Sequence, residues 1–456
     1  MDADVVVIGT GPGGESLANK AARVGLKVIA VEKHLVGGEC PYYGCIPSKM
    51  MLRAADALAE AHRAGQLAGD VTVTPSWAPV AKRVAEEATA HWDDSAAVKR
   101  LEDSGATVLR GSGRLDGARR VVVTPSDGSA EITIEARLGV VLNPGTRPAA
   151  PPITGLEGTP YWTNREALQT TEAPAELIVI GGGPIGCELT QVFARFGSRV
   201  TLVQHGPRLL PADEPEASAL LEQVFVKEGV RVLTDATPTE VQYAEGRFTI
   251  SLADGQQVTA DRLLVAAGRT PNLDGVGLES VGLNPKRVEV DQRMRAGGDD
   301  AGLWVIGDVV GHGAFTHVSM YQSDIALRDL EGMDGPPASY HAVPHTTFTD
   351  PEVGGVGLTE EAARKQGLSV RTGQADLGAS SRGFTHGPGA TGFVKVVEAD
   401  GVLVGATAVG PAGGEILAAL TLAVHARVPV STLRTMIYAY PTFHRTIESA
   451  LSDLDD

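Results

Sequence analysis

The stretch Val5-Val6-Val7-Ile8-Gly9-Thr10-Gly11-Pro12-Gly13-Gly14 decides the fold of this chain, because it joins a buried strand to the start of a helix. Gly9 permits the tight turn, Gly11 lets a pyrophosphate approach the backbone, and Gly14 allows the helix to pack closely on the strand. The N–H groups at the helix N-terminus bind the phosphates. Glu32 ends the next strand, where a carboxylate accepts hydrogen bonds from ribose hydroxyls. The pattern predicts a βαβ unit that binds a dinucleotide.

A second copy of the pattern begins at Leu177-Ile178-Val179-Ile180 and continues through Gly181, Gly183 and Gly186. From the first glycine to the residue at the acid position the distance is 23 residues in both copies, and in the second copy that residue is Gln204. Two dinucleotide sites in one chain predict an α/β fold with two Rossmann-like domains.

The residues around Gln204 bear on the choice of nicotinamide. A carboxylate at this position favours NADH, whereas Gln204 with His205 beside it and Arg208 nearby removes the repulsion against a 2′-phosphate. This favours NADPH. Two alternatives stay open: Gln204 bonds both ribose hydroxyls and either cofactor is accepted, or Gly186, a glycine where alanine also occurs, indicates NADH.

Cys40 and Cys45 are separated by four residues and lie downstream of the first glycine turn, directly before a helical run. A helix N-terminus lowers a thiol pKa, and a tight turn through Gly44 lets the pair close a disulfide. A structural zinc site needs two further ligands of similar spacing, and the sequence shows none. We therefore predict a redox pair and no metal. Cys187 follows the second glycine turn and is predicted to be a packed core thiol.

Composition limits the class of protein. The chain has 456 residues, enough for about three domains, with a net charge of −17 and a pI near 5.1. An acidic surface argues against nucleic acid or an anionic membrane as a partner. The sequence shows no run of transmembrane length and no basic leader before residues 5–8, and three cysteines do not make a secreted disulfide framework. We therefore expect a cytoplasmic protein.

Patterning predicts the remaining organisation. A helical segment covers about 48–105, strands lie around 119–142 with a hairpin at Asp127-Gly128, and a second strand-rich stretch covers 240–266 with a turn at Asp254-Gly255. Residues 303–306 form a buried strand. A last domain starts near 341 with strands and finishes with helices at 413–426 and 442–452.

Together these motifs resemble the class I pyridine nucleotide-disulfide oxidoreductases, which include dihydrolipoamide dehydrogenase, glutathione reductase and mercuric reductase. The resemblance covers essentially the whole chain. It rests above all on Gly-Gly-Glu-Cys40-Pro-Tyr-Tyr-Gly-Cys45-Ile-Pro-Ser-Lys49, which is similar to the active-disulfide signature. Further matches are Gly268-Arg269-Thr270-Pro271-Asn272, Gly307-Asp308, Phe348-Thr349-Asp350-Pro351-Glu352-Val353 and, with Asn-Pro in place of Ala-Thr, Asn143-Pro144-Gly145.

The resemblance implies roles for individual residues. Cys45 would be the thiol beside the flavin and Cys40 the interchange thiol that attacks substrate. Lys49 would lie near the flavin N5, paired with Glu188. Asp308 would hold the ribityl chain. The other positions that the resemblance assigns to cofactor binding are Gly145, Gly268, Gly307 and Thr316.

The resemblance also implies a domain plan and a homodimer. Residues 1–150 would begin the FAD-binding domain and 271–340 would complete it. Residues 151–270 would form the NAD(P)-binding domain. Residues 341–456 would be an α+β dimerisation domain.

One departure concerns catalysis. Reductases of the family carry His-Pro-Thr-x-x-Glu near the C-terminus, whereas this chain has Tyr440-Pro441-Thr442-Phe443-His444-Arg445. Tyr440 stands at the position of the histidine that, from the partner subunit, exchanges a proton with the interchange thiol, and Arg445 at that of the glutamate that orients it. Such acid–base catalysis contributes about 10²–10⁴ in rate. A phenol, with a reference pKa of about 10, donates a proton at neutral pH but is a poor base.

Four functions follow from these residues. The first is an FAD enzyme that passes electrons from NADPH or NADH through flavin and Cys40/Cys45 to a small disulfide. The second is a quinone-type reductase that uses flavin directly. The third is thiolate chemistry without the histidine, as in ketopropyl-coenzyme M oxidoreductase/carboxylase. The fourth, a flavoprotein kept for binding or redox sensing, is disfavoured by the intact fingerprints and cysteines.

Overall fold

The computed structural model describes residues 1–298 and 301–455; Asp456, in the predicted dimerisation domain, lies outside them. The chain divides into two compact units. The first contains Met1–Pro47, Ala85–Pro148 and Arg269–Tyr340, and the second contains Ser48–Val84, Ala149–Gly268 and His341–Asp456. Three of the breaks lie close to the boundaries expected at 150, 270 and 340. The division into four domain segments stays a prediction.

The described residues form twenty strands and fourteen α-helices. The strands are β1 (Asp2–Ile8), β2 (Val28–Glu32), β3 (Thr107–Leu115), β4 (Arg120–Pro125), β5 (Ile132–Leu142), β6 (Thr146–Pro148), β7 (Glu176–Ile180), β8 (Arg199–Val203), β9 (Arg231–Leu233), β10 (Pro238–Ala244), β11 (Arg247–Leu252), β12 (Gln257–Ala260), β13 (Arg262–Val265), β14 (Arg269–Pro271), β15 (Leu303–Val305), β16 (Pro344–Thr347), β17 (Glu352–Gly357), β18 (Arg371–Asp376), β19 (Phe393–Ala399) and β20 (Val402–Gly410). The helices are α1 (Pro12–Arg23), α2 (Glu39–Tyr43), α3 (Cys45–Ala64), α4 (Ala78–Arg83), α5 (Ser95–Asp103), α6 (Asn164–Gln169), α7 (Pro184–Arg195), α8 (Pro215–Lys227), α9 (Thr316–Leu330), α10 (Glu360–Lys365), α11 (Ser381–His386), α12 (Gly413–His425), α13 (Val430–Arg434) and α14 (Thr446–Ser452).

The first unit is built on a sheet whose parallel part runs in the order β3-β2-β1-β5-β15. β4 pairs antiparallel with β3 and with β5. Because side chains alternate along a strand, Val5 and Val7 pack into one apolar cluster with α1 and α9, while Val6 and Ile8 pack into another on the opposite face. Burial on both faces explains why β1 reads as a continuous apolar run.

The second unit contains three sheets. The parallel sheet runs β9-β8-β7-β13, and β10, β11 and β12 form an antiparallel sheet that shares an apolar core with it. The third sheet is antiparallel, in the order β16-β17-β20-β19-β18, and it packs on α12 and α14. The two Rossmann-like sheets and the C-terminal α+β region predicted from the sequence are confirmed.

Local predictions were mostly confirmed. β4 and β5 flank the hairpin signal at Asp127-Gly128, and β11 and β12 flank the turn at Asp254-Gly255. β15 is buried throughout, and α12 and α14 match the two predicted C-terminal helices. None of the helices within the described ranges is long and apolar enough to cross a bilayer.

The continuous helical segment predicted for 48–105 was wrong. α3 ends at Ala64, and the rest of the helical structure consists of α4, a π-helical turn at Val84–Ala88, a 3₁₀ turn at Ala90–Trp92 and α5. Gly65, Gly69 and Pro75 fall in the first interruption, where they disfavour a helix. A left-handed turn before α5 makes the second interruption.

Candidate redox and dinucleotide-binding site

The three glycines of the first turn have different packing requirements. A Cβ on Gly9, whose φ is +88°, would lie 2.3 Å from the carbonyl oxygen of Asn143. A Cβ on Gly14 would lie 2.1 Å from the oxygen of Gly9. Near Gly11, by contrast, the nearest atom is a terminal atom of the Asn143 side-chain amide, at 3.2 Å. The outer glycines are therefore required by packing, and the middle one leaves the backbone accessible, as a bound pyrophosphate requires.

Glu32 is buried at the end of β2 and braces this turn. Its Oε2 accepts hydrogen bonds from the Thr10 backbone N–H and hydroxyl, both at 2.8 Å. Its Oε1 accepts from the backbone N–H of His34 at 2.8 Å. A carboxylate has about four acceptor sites, so the position retains capacity for a ribose hydroxyl.

Asn143 has a structural role at the turn that the sequence analysis missed. With the amide oriented so that both of its ends find partners, its nitrogen donates to the Ile306 carbonyl at 3.3 Å and its oxygen accepts from the Gly14 N–H at 3.0 Å. The signal was a polar residue directly after the buried strand β5, at the place where the chain departs from the family's usual Ala-Thr-Gly.

Gly307 and Asp308 follow β15, and Gly145 follows β5. Because β1, β5 and β15 are parallel, their carboxyl ends meet at one edge of the sheet, where such folds bind dinucleotides. Asp308 accepts a hydrogen bond from the Thr146 hydroxyl at 2.7 Å. The arrangement fits an FAD: open backbone for the pyrophosphate, Glu32 for a ribose, and Asp308 for a further hydroxyl.

The loop that carries the cysteines packs directly on this turn. The Gly37 N–H donates to the Thr10 carbonyl at 2.8 Å, and a Cβ on Gly38, whose φ is +71°, would lie 2.7 Å from the Cα of Gly11. At the other end of the loop, a Cβ on Gly44 would lie 3.4 Å from the Cα of Cys40. The expected tight turn through Gly44 is therefore present.

Cys40 and Cys45 lie next to each other. A hydrogen bond to Cys45 is the main cause that raises the pKa of the Cys40 thiol well above its ordinary value, and burial raises it further. A hydrogen bond with Thr316, the first residue of α9, lowers the pKa of Cys40 and so opposes these two effects. The Thr316 Oγ1 also lies 3.6 Å from the Cys45 Sγ. At neutral pH, Cys40 is therefore a protonated thiol that donates to exposed Cys45.

The second glycine turn repeats the geometry of the first. A Cβ on Gly186 would lie 1.8 Å from the oxygen of Gly181, whereas a Cβ on Gly183 meets no atom within 4 Å. The side-chain oxygen of Gln204 accepts from the Gly182 N–H at 2.9 Å, in the manner of Glu32 and Thr10. The open middle glycine fits a nicotinamide dinucleotide.

Cys187 follows the second glycine turn, and two basic residues, His205 and Arg208, follow Gln204 in the sequence. Cys187 is fully buried, as predicted, and burial raises its pKa. His205 Nδ1 lies 2.8 Å from the Thr237 hydroxyl. The guanidinium of Arg208 is turned into its own loop, where it donates to the carbonyls of Leu210, Pro211 and Asp213 and to the Ser218 hydroxyl. This geometry reduces the support that Arg208 gives to a 2′-phosphate.

Lys49 and Glu188 form an ion pair in the second unit. Lys49, one turn after Cys45 on α3, donates to both carboxylate oxygens at 2.9 and 2.8 Å. Glu188 is buried and also accepts from the Phe348 backbone N–H at 2.9 Å. The Lys49 ammonium lies 4.6 Å from the centroid of the Phe348 ring. The pairing inferred from the sequence is present; the role of Lys49 at a flavin stays a prediction.

Tyr440 lies on a surface segment. Its side chain is 69% exposed, and the Arg445 guanidinium lies 5.8 Å from its ring centroid. Arg445 also forms a 2.8 Å ion pair with Glu448. The catalytic role of Tyr440 stays a prediction.

One group of carboxylates has the spacing of a metal site in the part of the chain that the structure describes. Glu214, Glu216 and Glu360 each place an oxygen within 4.8 Å of the others. The buried ammonium of Lys395 lies among them, at 3.0, 2.7 and 2.9 Å. Burial opposes the charged form of Lys395, but the carboxylates outweigh it and raise the pKa of Lys395, so an ammonium already lies at the centre of this group.

Two Rossmann-like turns, a dithiol packed on the first of them and an antiparallel C-terminal sheet define a nicotinamide- and flavin-dependent dithiol oxidoreductase. Residues 3–323 match the family described as pyridine nucleotide-disulphide oxidoreductase, and residues 343–451 match its dimerisation domain. The chain belongs to the class I pyridine nucleotide-disulfide oxidoreductases.

Individual relatives agree with this assignment. The chain is 35% identical over 459 residues to a dihydrolipoyl dehydrogenase of Chlorobaculum tepidum, covering 99% of this chain and 96% of the relative. It is 33% identical over 446 residues to a mercuric reductase of Acidithiobacillus ferrooxidans, covering 96% and 80%. The crystal structure of LpdA from Mycobacterium tuberculosis superposes with a TM-score of 0.87, at 27% identity and 99% coverage of both chains.

Membership has direct consequences. The enzyme is an oxidoreductase that uses FAD and NAD(P)H and has a redox disulfide. Its dimerisation domain supports a homodimer.

Proposed function

We propose that this enzyme moves electrons from NAD(P)H through FAD to the pair Cys40/Cys45, and from the pair to a small disulfide. The observation that carries the proposal is the contact between the cysteine loop and the first glycine turn, which places a dithiol beside the predicted FAD cradle. The bound FAD would supply two-electron transfer between the nicotinamide and the dithiol.

The chemistry at the cysteines balances as two exchanges. The sulfur of Cys40 attacks one sulfur of the acceptor, forms a mixed disulfide and releases the first thiol. The sulfur of Cys45 then attacks Cys40, restores the protein disulfide and releases the second thiol. Each departing thiolate takes one proton, so the overall reaction consumes NAD(P)H and one proton and yields two thiols.

Proton transfer is the unusual part of this proposal. Cys40 must lose its proton before it attacks, and its raised pKa makes that loss harder. Tyr440, at the histidine position, would donate a proton to a leaving thiolate, but a phenol does not remove the proton of Cys40 at neutral pH. We therefore expect slow exchange with ordinary disulfides.

The raised pKa of Cys40 and the tyrosine at the histidine position favour a second candidate, direct reduction of a quinone-like acceptor by the flavin. This reaction needs no proton transfer at a thiol. We also propose the cytoplasm as the compartment, because a dithiol that NAD(P)H reduces works where thiols are kept reduced.

Anaerobic rapid mixing with NADPH or NADH tests the relay itself. Reduction of the holoenzyme should produce a long-wavelength absorption band from the Cys45 thiolate beside the flavin. A wild-type enzyme that is reduced without this band would contradict the dithiol relay for any acceptor.

A panel of disulfides and quinones then separates the two acceptors. Under the disulfide proposal, Cys40→Ser abolishes turnover of the preferred disulfide, and Cys187→Ser, which keeps a donor to the Gly182 carbonyl, leaves it unchanged. If the best acceptor is a quinone and the Cys40→Ser variant still reduces it, the quinone function is the correct one.

Cofactor preference has a test of its own. We propose NADPH, with less support from Arg208 than the sequence suggested. Gln204→Glu places a carboxylate beside the 2′-position and should lower kcat/KM for NADPH about tenfold relative to NADH. An unchanged ratio of the two kcat/KM values would show that position 204 does not select the nicotinamide.

A further inference from the structure

The turn Ala90-His91-Trp92 has an unusual backbone. Its three residues have φ values of +46°, +58° and +58°, in the left-handed region. Residues other than glycine enter this region singly, and a run of three is strained because each Cβ approaches the following carbonyl. Strain of this kind persists where surrounding contacts hold it, and it clusters at functional sites.

The turn directs Trp92 at the redox loop, the segment from Val36 to Cys45 that carries both cysteines. Thr89 supports the turn, since its hydroxyl donates to the Ala85 carbonyl at 3.2 Å and accepts from the Trp92 N–H at 3.4 Å. The indole nitrogen of Trp92 donates to the backbone carbonyl of Tyr42 at 3.1 Å. Tyr42 lies between the two cysteines, so this bond fixes the backbone two residues after Cys40.

Asp94, two residues beyond Trp92, fixes the other end of the same loop. Its carboxylate accepts from the Val36 backbone N–H at 2.6 Å. Arg110 donates to both oxygens of Asp94, at 2.7 and 2.6 Å, and to the His34 carbonyl at 2.7 Å. The carboxylate is buried, and Nη2 of Arg110, which contacts both of its oxygens, holds it in one orientation.

The ring of Tyr42 is buried between the two anchors. A Cβ on Gly37 would lie 3.4 Å from its Cε2. Burial, followed by the negative charge of Asp94, raises the pKa of Tyr42, which agrees with their proximity. The loop from Val36 to Tyr42 is thus held at both ends from one short segment, with Cys40 between the anchors.

We propose that Trp92 and Asp94 are positioning residues for the redox dithiol: the left-handed turn places them to clamp the Cys40 loop, so that the Cys40 thiol stays half-buried and hydrogen-bonded to Cys45. This rests on the proposed dithiol relay. A loosened clamp would expose Cys40 and weaken its bond to Cys45.

Trp92→Phe tests the clamp, because it keeps an aromatic ring and removes the N–H donor. Its matched control is Trp77→Phe: the Trp77 indole also donates one hydrogen bond to a carbonyl, that of Thr170 at 2.9 Å, in the second unit. For each NAD(P)H-reduced holoenzyme, the rate of iodoacetamide alkylation at Cys40 is followed by peptide mass mapping, and the long-wavelength band is recorded.

Trp92→Phe should accelerate alkylation of Cys40 about fivefold, the effect of one lost hydrogen bond, and should weaken the band. Trp77→Phe should stay within about twofold of wild type on both measures. Asp94→Asn, which loses the charge pair with Arg110 but keeps an acceptor, should change both measures in the same direction as Trp92→Phe.

Equal alkylation rates and bands in Trp92→Phe and Trp77→Phe would overturn the clamp. Failure of both Trp92→Phe and Asp94→Asn to fold would also overturn it, since the contacts would then hold the domain rather than the loop. Absence of the band in wild type is a separate result, which contradicts the proposed relay itself.

Discussion

The redox loop and the C-terminal segment around Tyr440 are built in opposite ways. The redox loop packs on the first glycine turn, and the thiol of Cys40 is hydrogen-bonded to that of Cys45. Tyr440 is 69% exposed and Ile437, three residues earlier, is 97% exposed. The contrast shows that the cysteines are held by neighbouring backbone, whereas the segment with tyrosine at the histidine position is exposed in the single chain.

A histidine at position 440 should give the largest effect, an increase in the turnover of a small disulfide. The double variant Tyr440→His with Arg445→Glu recreates the histidine and its orienting carboxylate. We expect turnover of a small disulfide to rise about 10²-fold, the lower end of general acid–base catalysis. Steady-state kinetics at pH 7 provide the measurement.

Its control is Tyr440→Phe with Arg445→Glu, which has the same second change and no imidazole. Both variants lose the exposed ion pair between Arg445 and Glu448, which is worth at most about 1 kcal/mol. Equal turnover in the two variants would show that proton transfer at this position does not limit the reaction.

The pH dependence of Cys40 alkylation tests the redox loop. A raised pKa disfavours the thiolate, so below that pKa the reactive fraction grows about tenfold per pH unit. In the reduced enzyme, alkylation of Cys40 should therefore rise across pH 6 to 9 without a plateau. Cys45→Ala removes the main cause of the shift and should move the profile to lower pH. A wild-type plateau below about pH 7.5 would contradict the protonated thiol.

The smallest expected effect concerns strain beside the redox loop. His91→Gly places a residue that tolerates positive φ at +58°. Relief of about 1–2 kcal/mol is offset in part by the greater freedom of glycine in the unfolded chain, so we expect a net stabilisation of about 0.5–1 kcal/mol. The shift in the urea unfolding midpoint, at fixed FAD, provides the measurement.

His62→Gly, on the exposed face of α3, is the matched control and should destabilise the protein by a few tenths of a kcal/mol, about the difference in helix propensity between histidine and glycine. If His91→Gly lowers stability as much as His62→Gly does, the His91 side chain makes contacts that outweigh the strain.

Much of the fold was predictable from local patterns. The two glycine turns, the 23-residue spacing and the alternation of strands with turn signals depend on residues near each other in sequence. The pairing of Lys49 with Glu188 was also expected, but only through the family resemblance. The interruption before α5 was not expected, because the left-handed turn there depends on contacts with distant residues. The interruption after α3 does have local signals, Gly65, Gly69 and Pro75.

By itself, the sequence determined the two dinucleotide turns, the dithiol beside the first of them and the loss of the histidine at Tyr440, since each is a short motif with fixed spacing. The tertiary structure decided which side chains hold those motifs: Trp92 and Asp94 on the redox loop, Asn143 on the glycine turn, and Arg208 turned into its own loop. The physical reason is that Trp92 and Asp94 meet their partners across 50 and 58 residues of chain. Only the folded backbone determines which distant carbonyl or N–H lies within hydrogen-bonding distance.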